Sequence, residues 1–158
     1  MSEFVKSNIV LPDDLECIYK DDVYQLNADT LKPLKYIVYY DSLECNSCKI
    51  SGVTQFKPLW EMADSSNFSV IFIFSPQKKD IEFIRMNLLI ANLNIPVFLD
   101  ANKSFAKINF CIPKDFRFKS FLISDEGNPI YIGNPLSSTS LWTLFNDVVK
   151  QYSNNNLK

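Results

Sequence analysis

The chain has 158 residues, 47% of them hydrophobic, and sixteen basic against eighteen acidic side chains leave a net charge of −2. That length suits one domain with a sizeable core, and the charge balance implies no basic face, so nucleic acid is not an expected partner. No apolar run approaches the roughly 20 residues of a membrane helix, and the lack of any histidine removes Ser/His and Cys/His nucleophile pairs and imidazole zinc sites.

In chain order, residues 1–34 are polar, carry Pro12 and Pro33, and read as an N-terminal extension. Within them "CIYKDDVYQL" alternates around Asp21 and Asp22 and predicts a small hairpin. "KYIVYYD" (35–41) is an apolar, β-rich run of the length of a buried strand. After Cys45 the apolar positions Cys48, Val53, Phe56, Leu59, Trp60 and Ala63 recur every three or four residues, which predicts one helix, weakened by Gly52 and kinked at Pro58. "FSVIFIF" (68–74) is a second buried strand. Residues 80–92 have helical spacing with apolar residues on most sides, which predicts a well-covered helix. "IPVFLD" (95–100) is a third strand, and Asn102 is placed to cap a short helix carrying Phe105 and Ile108. "FKSFLIS" and "PIYIG" flank the turn signal Asp125-Glu126-Gly127-Asn128 and read as a hairpin. Residues 137–140 can cap a last helix whose inner stripe is Leu141, Leu144, Phe145, Val148 and Tyr152. The tail, 153–158, has nothing to bury.

Strands alternating with helices predict an α/β fold, a mixed central sheet with helices on both faces. The Cys45-x-x-Cys48 pair falls after the first core strand, on the turn into a helix. That is where α/β folds place functional groups. Unpaired N–H groups at a helix start stabilise a thiolate, the reactive form of cysteine. The same spacing also fits a structural disulfide or two idle thiols. Cys17 and Cys111 read as small buried hydrophobes. A zinc site of all four thiolates lacks the second C-x-x-C knuckle that such sites use, so no metal is expected. The thirteen Phe residues read as core.

Taken together, "YIVYYDSLECNSCK", "VIFIFSPQKKDIEFIR", "IPVFLDANKSFAKINFCIP" and "FKSFLISDEGNPIYIGNP" resemble, in order, the segments of the thioredoxin superfamily. The likeness is to the TlpA/ResA-type thiol–disulfide oxidoreductases, which are related to the AhpC/TSA peroxiredoxins. It covers residues 35–152 and implies a thioredoxin-like domain there. It also implies a thiol–disulfide oxidoreductase in which Cys45 attacks and Cys48 resolves. Partners would be protein or small-molecule disulfides and thiols, and no cofactor would be needed. Lys49 stands where thioredoxins often carry a Lys after the second cysteine.

Several positions depart from that pattern. The family's cis-proline, three residues before the Phe of "FLI", is Phe118 here, and the nearest proline is Pro113. Glu44 stands where thioredoxins carry Trp, and Tyr39 where they carry a buried Asp. Glu44 and Phe118 are therefore the expected substrate-facing residues, with the Phe118 ring covering the dithiol. Asp41 and Glu44 would raise the Cys45 pKa. The peroxiredoxin signature P-x-x-x-T-x-x-C is absent. A second reading is a thioredoxin-fold binding or structural module with little or no redox turnover. The resemblance implies a periplasmic or extracytoplasmic protein, anchored through a removed N-terminal segment. A cytoplasmic location is the alternative. Nothing in the sequence specifies the oligomeric state.

Overall fold

The computed structural model describes residues 2–20, 22–43 and 47–155, with the side chains of Ser2, Ser47 and Cys48 outside that description. A four-residue helix α1 (Ser2–Val5) precedes a hairpin of β1 (Glu16–Tyr19) and β2 (Asp22–Gln25). The apolar runs then form β3 (Leu34–Tyr40) and, after a helical segment, β4 (Phe68–Phe74) and β5 (Val97–Leu99). The last hairpin is β6 (Ser120–Ile123) and β7 (Pro129–Ile132). Among the described residues these make one mixed seven-stranded sheet, ordered β2-β1-β5-β4-β3-β6-β7. The pairs β3–β4 and β4–β5 are parallel and the others antiparallel.

Side chains alternate across the central strands, as a pleated sheet requires. From β3, Tyr36, Val38 and Tyr40 point into one core layer, while Ile37 and Tyr39 point into the other. The first layer is closed by α2 (Ser47–Gly52), α3 (Lys57–Asp64), α4 (Ile81–Ala91) and α6 (Thr139–Asn155), through Ile50, Leu59, Leu88 and Phe145 among others. The second is closed by α1, α5 (Ser104–Ile108) and the N-terminal segment, through Phe4, Leu15 and Phe105. Phe145 is fully buried, its ring edge-on to Tyr36, Phe68 and Tyr131 at 5.6, 5.4 and 5.2 Å. Both faces of the parallel strands are covered, which is why they read as near-continuous apolar runs.

Residues 1–34, expected as an extension, contribute β1 and β2 to this sheet and Phe4 to its core, where the Phe4 ring lies 4.9 Å from Phe121. The Ile9 N–H donates to the Gly127 carbonyl at 2.8 Å. Gly127 has φ +92°, and a Cβ there would lie 2.4 Å from the Ile9 carbonyl, so this turn needs glycine on both counts. β1 is tied to α4 by the Arg85 fork on Glu16, at 3.0 and 2.8 Å.

Several expectations need correction. The helix predicted after Cys45 is divided into α2, a 3-10 turn at Val53–Phe56, and α3. Pro58 lies in the first turn of α3, where its missing N–H has no partner to lose, so it starts a helix rather than kinking one. Helix α4 is not well covered: Phe83, Met86 and Ile90 are 60%, 54% and 75% exposed, because only its Ile84–Leu88 side meets the core. On α6, Phe145, Val148 and Tyr152 face the core as expected, joined by Trp142 and Val149, while Leu144 points outward. That helix continues through 153–155 rather than giving way to a tail. Finally, Asn102 does not cap α5. It donates to the Asp14 carboxylate at 3.1 Å, while Asp100 accepts from the N–H groups of Ser104 and Phe105 at 2.9 and 3.0 Å.

Candidate functional site

β3 ends at Tyr40 and α2 begins at Ser47, so the Cys45-x-x-Cys48 segment spans the connection between them and the first turn of α2. Glu44, Cys45 and Asn46 lie outside the described residues, as does the Cys48 side chain. The site is therefore built from what surrounds that connection.

The three parallel strands end side by side, and short polar side chains join their ends. The Ser75 N–H donates to the Tyr40 carbonyl at 2.9 Å, and the Ser42 hydroxyl to the Ser75 carbonyl at 3.1 Å. The Ser75 hydroxyl donates to Asp100 at 3.1 Å, and the Asp100 N–H to the Phe74 carbonyl at 2.8 Å. Asp100 is 1% exposed. Burial pushes its pKa up, while the N–H groups of Phe105 and Ser104 and the Ser75 hydroxyl hold it down.

β6 contributes a buried cation from the other side. Lys119 precedes the strand, and its carbonyl accepts from the Tyr39 N–H at 2.9 Å. Its side chain is 5% exposed and reaches Asp41 at 2.5 Å. The other Asp41 oxygen accepts from the Leu43 N–H at 2.9 Å, so one carboxylate both fixes the start of the β3–α2 connection and meets the buried ammonium. Asp41 is therefore paired with a cation, while Cys45, on which its charge was expected to act, lies outside the described residues. Sequence reasoning missed Lys119, Ser75 and Asp100. For Lys119 the available signal was a lysine inside the apolar run "FKSFLIS", a place where a charge needs a partner.

Phe118 does not open a strand. It ends a 3-10 turn, Phe116–Phe118, which Asp115 caps by accepting from the Arg117 N–H at 3.0 Å. No peptide bond among the described residues is cis. The Phe118 ring is half-buried with the Arg117 guanidinium 5.5 Å from its centre. Its expected cover over the dithiol involves sulfurs outside the described residues. The Arg117 side chain also bonds Asp115, which lowers that carboxyl to about 2.

Two clefts flank Lys119. One of about 320 Å³ is lined by Asp41, Leu43, Lys103, Phe110 and Lys114, and one of about 530 Å³ by Lys49, Gln55, Phe116, Arg117 and Asn134. Cys17 and Cys111 are both half-buried free thiols, and burial raises the Cys17 pKa. The described residues contain no cluster of three metal-ligating side chains, and no helix among them is long and apolar enough to cross a membrane.

No protein-family model matches the chain, and no curated protein matches it. Solved structures do. A protein assigned as the thiol:disulfide interchange protein DsbE from Chlorobium tepidum is similar with a TM-score of 0.58 and 16% identity, over 90% of this chain and 96% of that one. A protein assigned as a thioredoxin from Neisseria meningitidis gives 0.52 and 20%, over 86% and 89%. AhpC from Mycobacterium bovis gives 0.51 and 9%, over 84% and 90%. At these identities the likeness is one of architecture: the chain has a thioredoxin-like α/β fold.

Proposed function

We propose that the protein is a thiol–disulfide oxidoreductase working through Cys45 and Cys48. One observation carries the reading. Cys45 falls in sequence between a buried parallel strand and a helix, and Cys48 in that helix's first turn, next to strand ends whose backbone Asp41, Lys119, Ser42 and Ser75 organise. In the reductive direction the Cys45 thiolate attacks one sulfur of a substrate disulfide. The substrate S–S bond breaks, a mixed disulfide forms, and the released thiolate takes up a proton. The Cys48 thiolate then attacks the Cys45 sulfur and expels the second substrate thiol. The Cys45–Cys48 disulfide forms, and two electrons have passed to the substrate. Glu44 and Phe118 face the substrate in this reading, and protein or small-molecule disulfides are the substrates. The same reading sets the protein outside the cytoplasm, where a dithiol can cycle against oxidised partners.

The test is the mass of each single variant after incubation with oxidised glutathione. Cys48→Ser should accumulate a mixed disulfide, having lost its resolving thiol, and Cys45→Ser should not. Adducts on neither, together with no disulfide reductase activity of the native protein, would favour a binding or structural module instead. That second reading is supported by Phe118, set in a 3-10 turn where the family carries proline.

A further inference from the structure

The segment between α5 and β6, "NFCIPKDFRFK", departs from the family pattern and carries an unusual surface. Phe110 and Phe116 are 89% and 69% exposed, and Leu43, across the cleft from Phe110, is 86% exposed. Single exposed apolar residues are ordinary, but three around one pair of clefts are not. The segment is pinned at its base. Asn109, 3% exposed, accepts from the Val10 N–H and donates to the Val10 and Phe105 carbonyls, each at 2.8 Å. Lys119 holds its other end, by its carbonyl on the Tyr39 N–H and its ammonium on Asp41. The phenylalanines are thus presented by anchored backbone.

The charge around them is mostly positive. Lys103, Lys114 and Lys119 line one cleft and Lys49, Arg117 and Lys119 the other. Against these stand Asp41, which faces Lys119, and Asp115, which faces Arg117. Even with Glu44 added from the sequence, cations outnumber carboxylates here, on a chain whose net charge is −2.

We infer that this face docks an acidic polypeptide segment bearing apolar side chains. Phe110, Phe116 and Leu43 supply its apolar contacts, and Lys103, Lys114 and Arg117 its charge complement. The inference rests on the redox reading for its purpose, since the docked segment would carry the disulfide or thiol that reacts. Burying exposed Phe and Leu supplies the affinity, and the local positive field steers encounter and selects the partner.

The experiment uses two synthetic peptides of equal length, each with one internal disulfide and a Leu-Phe pair, flanked by Asp and Glu in one and by Lys in the other. Reduced protein should reduce the acidic peptide about tenfold faster at low ionic strength, with the gap closing as salt screens it. The double variant Lys114→Glu/Arg117→Glu, changed at two exposed positions and shown folded by a thermal scan, should lose or reverse the preference. Equal rates for the two peptides, or a preference that salt does not alter, would overturn the docking inference. The uncharged 2-hydroxyethyl disulfide tests the redox reading separately. If it is not reduced, docking is read instead from the fluorescence anisotropy of a cysteine-free acidic peptide. Binding that the double variant weakens supports docking, and no binding overturns it. A dimer in sedimentation that the double variant dissociates would assign the face to a second copy and also overturn the inference.

Discussion

At the C-terminal end of β3, β4 and β5 the strand ends are joined by Ser42, Ser75 and Asp100, and the flanking clefts are lined by cations. At the opposite end a cleft of about 550 Å³ opens among Tyr24, Leu31, Trp60, Phe68 and Phe98, with the Cys17 thiol at its edge. Its origin is geometric. β5 begins at Val97, opposite Phe72, so residues 68–71 of β4 have no partner in β5. Residues 26–32 cross the gap, with the Lys32 N–H on the Ser69 hydroxyl at 2.9 Å, and do not fill it. This apolar cleft thus follows a break in strand pairing. The organised charge lies at the other end, where helices and strands meet head to tail. The apolar cleft and the charged end have separate causes in this fold, and the site is read from the chemistry.

The largest expected effect breaks the charged end. Lys119→Ala removes one partner of a nearly buried pair and leaves Asp41 facing the gap. It should cost about 2–4 kcal/mol, at or below the range for fully buried pairs because Asp41 is 28% exposed. Trp60→Ala, at the apolar cleft, should cost about 2 kcal/mol, since one side of the ring already lacks neighbours. Urea titration of both variants decides the matter. A larger loss at Trp60 than at Lys119 would show that the apolar end holds the fold more tightly.

The next effect sharpens the comparison through pH. Burial raises the folded pKa of Asp100 above its ordinary value of 3.8, so the protonated form is the one that folding favours. Its contribution to stability is fully present below pH 3.8 and is lost as pH rises through the folded value. Asp100→Asn has no such titration. The stability of the native protein relative to that variant should therefore fall from acid to neutral pH, followed by denaturant titration across that range. A difference independent of pH would mean that Asp100 ionises in the fold as it does in the unfolded chain.

The smallest effect lies at the apolar end. Cys17, half-buried with a raised pKa, should alkylate more slowly at neutral pH than a free cysteine, and its rate should rise only at higher pH. Peptide mapping after iodoacetamide measures this directly. Cys17→Ala should change stability by less than about 1 kcal/mol. Fast alkylation would place the thiol in an open part of the cleft.

Much of this was legible in the residues themselves. The runs "KYIVYY" and "FSVIFIF" are strands because β-branched and aromatic residues buried on both faces leave no other reading, and they pair in parallel along their whole length. The turn at 125–128 needed Gly127, and its φ of +92° is one that few other residues adopt. The strand before the cysteine pair and the helix that follows were also visible, because both are local. Other features depended on contacts between residues far apart in the chain. The Lys119–Asp41 pair joins positions 78 residues apart, and no local pattern announces it. The stripe of α6 was right at Phe145, Val148 and Tyr152 but took in Leu144 and missed Trp142 and Val149, because neighbouring apolar rotations are equivalent until Phe145 finds its rings. α4 looked covered because sequence shows how apolar a helix is and not how much of it the sheet can reach. Phe110 and Phe116 read as core for the same reason. Apolar character is a property of the residue, but burial is a property of the neighbours, and only the tertiary structure supplies or withholds them.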